Sequence, residues 1–167
     1  MILAVMSDSH DNIWNLRKAL AIIKKRNAQM IIHCGDFIAP FTLTELDQGG
    51  IPVHGVFGNN DGDKYLLTKF SLTSLRNITL YDPVGLVESD GFKIAFTHHG
   101  IVGEGLAAGG KFNLVCFGHS HKYYFKKNDR TILLNPGEIM GKDGLPSFCL
   151  VDTDTATVEK IELVSTF

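Results

Sequence analysis

Short apolar runs alternate with amphipathic stretches along the first half of the chain. Three short runs are predicted as strands, of which the first is continuously apolar, as in a strand covered on both faces: Ile2–Met6, Met30–Cys34 and Val53–Phe57. Three stretches are predicted as helices, the first from its apolar spacing and the others from their starts behind Pro40 and Asp63: Ile13–Arg26, Phe41–Asp47 and Lys64–Leu75. This half of the chain is therefore predicted as βαβαβα.

The second half is predicted to consist mostly of strands. They are separated by turn residues and lie at Ile78–Tyr81, Leu86–Glu88, Phe92–Phe96, Phe112–Phe117, Tyr123–Lys127, Thr131–Leu134, Ser147–Asp152 and Val158–Val164. Asn128-Asp129 predicts a hairpin turn, and no helix is predicted across the glycine-rich segment Gly100–Gly110. The whole pattern predicts an α/β fold, a sandwich of two sheets flanked by helices.

Length and composition limit the kinds of protein this can be. A chain of 167 residues is expected to form a single domain, 1–167, that needs no disulfide or structural metal to fold. The net charge of −2 favours neither nucleic-acid nor membrane binding. No apolar run is long enough for a membrane span or a signal peptide, and three cysteines within apolar runs are expected to be buried thiols. A reducing, cytoplasmic setting is expected.

Polar clusters follow five of the predicted strands, at the point where each strand ends. They are Ser7-Asp8-Ser9-His10, Gly35-Asp36, Gly58-Asn59-Asn60-Asp61, Thr97-His98-His99-Gly100 and Gly118-His119-Ser120-His121. Because ligands bind outside the carboxyl ends of strands in open α/β sheets, these clusters are expected to converge at one edge. Caps and turns alone do not explain why five of the seven histidines lie in them.

The residue types in these clusters indicate metal binding. Carboxylates, imidazoles and an amide oxygen suit Mn, Fe, Ni, Co or Zn better than Ca or Mg. Asp8 and His10, like His119 and His121, are two residues apart, so in extended backbone each pair would point to one face. Seven candidate ligands are too many for one ion and suit two, and the isolated Asp36 could bridge them.

The ordered series D-x-H, GD, GN-x-D, His near Gly, and GH-x-H resembles the calcineurin-like metallophosphoesterase superfamily. The resemblance extends from Ile2 to about Gly137, and Asn135-Pro136-Gly137 is similar to the small, single-domain phosphodiesterase branch. It implies a four-layer α/β/β/α domain and hydrolysis of phosphoric esters by a hydroxide held between two divalent ions. The substrate would be a small phosphate ester.

The resemblance also implies a role for each matching residue. The first ion would be held by Asp8, His10 and His121, and the second by Asn59, His98 and His119, with Asp36 bridging them. Asp36, Asn59 and His98 would act in catalysis through the ions and their hydroxide. Asp61 is expected to support the site from behind, while Asn60 and His99 are candidate substrate contacts.

Three positions depart from the family pattern. Asn60 replaces the histidine that aids leaving-group protonation in related phosphatases, which favours diesters or activated aryl phosphates because an amide is no general acid. His98-His99-Gly100 leaves either histidine as the ligand, with His98 favoured by its distance from the strand. Glu138 stands at the position where relatives often carry Ser, and the resemblance gives it no role.

Two alternatives to a phosphodiesterase remain at this stage. One is a non-catalytic scaffold resembling the small subunit of retromer, and the other is a phosphomonoesterase of the same superfamily. The complete ligand set favours an enzyme. A nuclease of the same superfamily would be expected to carry extra domains and a broader basic surface, so the sequence argues against nucleic acid as a partner. His33 and His54 lie inside apolar strands and are expected to be structural, and a homo-oligomer is left open.

Overall fold

The computed structural model describes residues 1–164, which form eleven strands and four helices. The strands are β1 (Ile2–Met6), β2 (Met30–His33), β3 (Val53–Val56), β4 (Ile78–Tyr81), β5 (Val84–Ser89), β6 (Phe92–Thr97), β7 (Leu114–Cys116), β8 (Tyr123–Lys127), β9 (Ile132–Pro136), β10 (Ser147–Asp152) and β11 (Thr157–Glu162). The helices are α1 (Ile13–Lys25), α2 (Pro40–Gln48), α3 (Lys64–Thr73) and α4 (Gly100–Ala108).

The strands form two sheets. The first has the order β11-β10-β1-β2-β3-β4, and its strands β1 to β4 run parallel. The second has the order β5-β6-β7-β9-β8, with β6, β7 and β9 parallel between two antiparallel edge strands. The predicted hairpin is confirmed, because β8 pairs with β9 across the Asn128-Asp129 turn.

The two sheets pack face to face, and helices cover their outer faces. In β1, Leu3 and Val5 enter the apolar core between the sheets, whereas Ala4 and Met6 enter the core under α1, α2 and α3. Both faces of β1 are therefore buried, which explains why its sequence is continuously apolar. A third, smaller core joins α4 to the second sheet. The predicted two-sheet, four-layer α/β/β/α fold is confirmed.

Local sequence signals account for two of the helix starts. Asn12 caps α1 by accepting a hydrogen bond from the backbone N–H of Asn15 at 3.1 Å. Asp63 caps α3 in the same way, accepting from the N–H of Leu66 at 2.9 Å. Each cap provides an acceptor for an N–H group that the helix itself leaves unpaired.

The prediction that Gly100–Gly110 lacks a helix is wrong. Helix α4 spans Gly100–Ala108, although glycine is a poor helix former. A side chain at Gly103 would crowd Phe117, its Cβ lying only 3.2 Å from Cβ of that residue. Tertiary packing thus outweighs the weak helix propensity here, and the glycines allow the helix to approach the sheet closely.

Other predictions from composition agree with the structure. Cys34, Cys116 and Cys149 are free thiols, all buried. Within residues 1–164, every helix is too short or too polar to cross a bilayer.

Candidate metal centre

Three of the five polar clusters leave their strands through left-handed backbone. Positive φ angles between 44° and 68° occur at five candidate ligands: Asp8, His10, Asp36, His119 and His121. The expectation that the two-residue spacing works through extended backbone is therefore wrong. Non-glycine residues rarely adopt this conformation, and it concentrates at functional sites where surrounding contacts enforce it.

One group of side chains contains Asp8, His10, Asp36 and His121. Each contributes a donor atom, and these four atoms all lie within 4.8 Å of one another. Nε2 of His121 is 3.4 Å from Oδ1 of Asp8, and Nε2 of His10 is 3.6 Å from Oδ2 of Asp36. Oδ1 of Asp8 and Nε2 of His10 are buried without a hydrogen-bond partner among the described residues. Unpaired buried donors and acceptors are costly, so this group fits a bound cation.

A second group contains Asn59, His98 and His119. Oδ1 of Asn59 lies 2.8 Å from Nε2 of His98 and 2.7 Å from Nδ1 of His119, and the two nitrogens are 3.3 Å apart. Ligand atoms around an ion with bonds of about 2.1 Å have similar mutual separations. The chemistry of these donors, one amide oxygen and two imidazoles, fits a divalent transition metal.

Asp36 lies between the two groups. Its Oδ2 faces His10 of the first group, and its Oδ1 is 3.6 Å from Nε2 of His98 in the second. A side chain at Gly58 would overlap Oδ1 of Asp36, so only glycine lets the β3 loop come this close. The carboxylate of Asp36 therefore presents one oxygen to each group.

Asn60 holds the carboxylate of Asp36 in this position. Its backbone N–H donates to Oδ1 at 2.9 Å, and its side-chain Nδ2 donates to Oδ2 at 2.8 Å. Burial alone would raise the pKa of Asp36, but these hydrogen bonds and the nearby His98 and His10 outweigh it, so the pKa lies below its ordinary value. Asp36 is thus held as a carboxylate.

Asp8 has the opposite electrostatic environment. Burial raises its pKa to about 7, and the charge of Asp36 adds to the shift, although Ser7 and His121 oppose it. A fully buried carboxylate beside another carboxylate calls for positive charge nearby. A cation between Asp8 and Asp36 would meet this need.

Buried His98 and half-buried His10 are held in the form that binds metals. Burial lowers the pKa of both His98 and His10, which favours neutral imidazole. Nδ1 of His98 lies 2.8 Å from the carbonyl oxygen of Cys34, so Nδ1 carries the proton and donates it to that oxygen. The lone pair of Nε2 is left to face Asn59 and Asp36.

Asp61 does not face the donor groups but ties two loops together beneath them. Its carboxylate accepts hydrogen bonds from the backbone N–H groups of Gly58, Asp36, Phe37 and Ile38 at 2.6, 3.2, 2.6 and 2.8 Å. The loops after β2 and β3, which carry Asp36 and Asn59, are thereby joined. Burial raises the pKa of Asp61 even though these hydrogen bonds oppose the shift.

The remaining histidines lie outside the two groups. His99 is exposed, with its ring 5.1 Å from that of His98 and 4.9 Å from that of His119. His33 is buried and contacts Ser9 Oγ at 3.0 Å, and half-buried His54 contacts the Tyr81 hydroxyl at 2.9 Å. Of the two neighbouring histidines, His98 is therefore the one that joins the donor group.

An open cleft of about 450 Å³ lies over these groups. Its walls include five residues from the sequence analysis and three that it overlooked: His10, Asp36, Asn60, His119, His121, Met140, Lys142 and Asp143. The three overlooked residues belong to the loop between β9 and β10. Nothing in the local sequence of this loop resembles a metal motif. The backbone N–H of Met140 donates to the carbonyl of Asp8 and so ties the loop to the end of β1, and hydrogen bonds to Glu138 fold the rest of it.

The sequence pattern of the calcineurin-like phosphoesterase superfamily domain matches residues 1–156. The chain belongs to this superfamily. The family and the relative described below support a hydrolase of phosphoric esters, and the family implies divalent metal ions at its site.

The superfamily relatives include close and distant ones. Phosphodiesterase MJ0936 of Methanocaldococcus jannaschii is 33% identical over 166 residues, covering 98% of this chain and 99% of the relative. The solved structure of an archaeal phosphodiesterase has a TM-score of 0.88 at 32% identity, covering 98% of this chain and 100% of that one. Vps29 of Chaetomium thermophilum shares only the fold, with a TM-score of 0.68 at 18% identity and coverage of 96% and 97%.

Proposed function

We propose that this superfamily member is a phosphodiesterase that uses two divalent ions, and that residues 1–167 form its single domain. The observation that carries the proposal is Asp36, which faces His10 with one carboxylate oxygen and His98 with the other. A carboxylate shared between two donor groups is what a pair of neighbouring ions requires. The activity of the relative named a phosphodiesterase supports the same conclusion.

The donor groups divide the ligands between the ions. Asp8, His10 and His121 would hold the first, Asn59, His98 and His119 the second, and Asp36 both. When bound, the ions would activate a water molecule for attack on phosphorus and offset charge on the leaving oxygen. The chain itself supplies neutral imidazoles, an ionised Asp36 and the hydrogen bonds that keep both in place.

A diester is the favoured substrate because the cleft lacks the expected proton donor for a poor leaving group. Asn60 occupies that place in the motif, its amide cannot act as a general acid, and Nδ2 is engaged by Asp36. Asn60 and exposed His99 would contact the substrate. Among the described cleft residues that are not proposed ligands, Lys142 is the cationic one and would attract a phosphate ester.

The scaffold alternative is not favoured, because the residues proposed as ligands all lie in the two donor groups and the likeness to Vps29 extends to the fold alone.

Mn²⁺ and Ni²⁺ are the ions we propose to test first, followed by Fe, Co and Zn. Buried free thiols favour a cytoplasmic setting, and the partner is a small phosphate ester rather than nucleic acid.

The experiment that tests this function is a substrate screen against a panel of metal ions. Protein stripped of metal is supplied with each ion and offered phosphomonoesters, phosphodiesters and cyclic nucleotides. We expect hydrolysis to depend on added metal and to be fastest with a diester. Faster hydrolysis of monoesters with every ion would overturn the diester assignment, and no hydrolysis at all would overturn the enzyme assignment.

A further inference from the structure

Glu138 is a buried carboxylate immediately behind the candidate metal centre. It is 1% exposed and follows β9 in the loop that borders the cleft. Its Oε2 accepts the backbone N–H of Lys142 at 3.0 Å, and its Oε1 accepts those of Asp143 and Gly144 at 2.6 and 2.9 Å. These bonds fold the loop around the carboxylate and fix its position.

The same carboxylate lies against His121. Nδ1 of His121 is 3.2 Å from Oε2 of Glu138 and 3.1 Å from Oδ2 of Asp143, while Nε2 on the other side faces Asp8 at 3.4 Å. Neither contact at Nδ1 meets the geometry of a hydrogen bond, so the two carboxylates act on this nitrogen mainly through their charge. Two carboxylates beside Nδ1 stabilise the tautomer in which that nitrogen carries the proton.

We propose that Glu138 is a positioning residue, which keeps the proton of His121 on Nδ1 and presents the lone pair of Nε2 to the first metal ion. The inference rests on the proposed function, in which His121 is a ligand. His98 has a comparable arrangement, in which Nδ1 makes a full hydrogen bond with the Cys34 carbonyl and Nε2 faces the donor group. Such outer partners of ligating histidines set the tautomer and orientation of the ring.

Glu138 is better suited to this role than Asp143. Glu138 is buried and held by three backbone N–H groups, whereas the side chain of Asp143 is 50% exposed. An ordered carboxylate in a dry environment interacts more strongly with an imidazole than a mobile one in water. The pair therefore offers matched variants, Glu138→Gln and Asp143→Asn, which each remove one charge beside Nδ1.

Glu138→Gln is expected to reverse the tautomer. Its single amide oxygen would keep the N–H groups of Asp143 and Gly144, which places the amide NH₂ where Oε2 now faces His121, at the cost of the bond from the N–H of Lys142. An NH₂ group donates and cannot accept, so Nδ1 of His121 becomes the acceptor and the proton moves to Nε2. That proton would occupy the lone pair that the ion needs.

The test combines two measurements on wild type and both variants. Nitrogen-15 NMR of the metal-free proteins reads the His121 tautomer, and titration with Mn²⁺ gives the affinity and number of ions bound. We expect an Nδ1–H tautomer in wild type, a shift to Nε2–H in Glu138→Gln with roughly 10- to 100-fold weaker binding of one ion, and under about threefold change in Asp143→Asn.

Several results would overturn the positioning role. An Nε2–H tautomer in the wild-type protein would do so without any variant, even if Glu138→Gln fails to fold. An unchanged tautomer and an unchanged Mn²⁺ affinity in Glu138→Gln would also overturn it. So would a third Mn²⁺ ion that binds to wild type and not to Glu138→Gln, because His121, Glu138 and Asp143 would then be metal ligands themselves. Neither NMR nor metal titration requires catalytic turnover. If the His121 tautomers and the Mn²⁺ affinities were as expected but the protein hydrolysed no ester, only the proposed phosphodiesterase activity would be contradicted.

Discussion

Asn60 donates two hydrogen bonds to Asp36, one to each carboxylate oxygen, at 2.9 Å from the backbone and 2.8 Å from the side chain. The residue that replaces a histidine in the motif thus has a defined task, which is to orient and ionise the carboxylate between the two donor groups. It also has no proton to give a leaving group. Both properties can be separated by substitution.

Asn60→His should change the preference for ester type. An imidazole at this position can protonate a leaving oxygen, and general acids contribute roughly 10² to 10⁴ in rate. We expect the ratio of p-nitrophenyl phosphate to bis-p-nitrophenyl phosphate hydrolysis to rise about tenfold or more. Asn60→Ala, which also loses the side-chain hydrogen bond, is the control and should slow both reactions without raising the ratio. An equal ratio in wild type and Asn60→His would refute the leaving-group argument.

Asp36→Asn should impair both donor groups at once. Asn carries no charge and a single oxygen, so one group would face an NH₂ that cannot bind an ion and the other a neutral, weaker amide oxygen. Altering only an outer partner of a ligand already costs about 10- to 100-fold. We therefore expect kcat/KM for a diester to fall by more than roughly 100-fold, with weaker binding of both ions. Asp129→Asn, on the exposed hairpin turn, is the matched control and should behave like wild type. Loss of only one ion from Asp36→Asn would argue against a shared ligand.

Asp61→Asn should mainly lower the free energy of unfolding of the protein. The carboxylate accepts four backbone N–H groups, and an amide NH₂ in place of one oxygen would face donors that it cannot pair with. We expect about 1–3 kcal/mol less free energy of unfolding, measured with urea on metal-free protein. Metal binding should weaken as well, because the two loops lose their common anchor. Stability equal to that of wild type would show that the four bonds are dispensable.

His33 should make the metal-free protein sensitive to acid. Burial lowers the pKa of His33 to about 3, whereas the pKa of a histidine in the unfolded chain is about 6.5. Between these two pH values the unfolded chain binds a proton at this histidine and the folded protein does not. Stability is therefore lost as pH falls from about 6.5 toward 3, at roughly 1.4 kcal/mol per pH unit.

His33→Asn removes this titration and can still accept the N–H of Gly35, which now donates to Nδ1 at 3.2 Å. Between pH 7 and pH 5, wild type should lose about 2 kcal/mol more unfolding free energy than His33→Asn, measured by urea denaturation in chelator. The variant should keep its metal-dependent activity at neutral pH, since His33 faces Ser9 rather than the cleft. If the unfolding free energies of wild type and His33→Asn changed equally with pH, His33 would not be the group that makes the protein sensitive to acid.

The sequence predicted the layers and the location of the site because both depend on short-range patterns. Runs such as Ile2–Met6 are apolar on both faces, and polar residues directly after parallel strands must meet at one edge. Helix α4 was missed because its stability comes from packing of Gly103 and Ala107 on the second sheet, which glycine propensity does not reveal. Long-range packing of this kind leaves no local signature.

Parts of the site were equally invisible in the sequence. Asp8 and His121 have left-handed backbone, whereas their two-residue spacing suggested extended chain. Glu138 had no role in the sequence analysis because its contact with His121 depends on how the loop after β9 folds back. Asp61 was expected near the site, but its use as an anchor for backbone N–H groups required the loops to be seen together.

The most direct test of the account is diester hydrolysis by metal-stripped protein as Mn²⁺ is added in equivalents. With Asp36 shared between two donor groups, we predict negligible cleavage of bis-p-nitrophenyl phosphate without metal and a rise in rate that ends at two equivalents. Full activity without metal, or a rate that is already maximal at one equivalent, would contradict a site built for two ions.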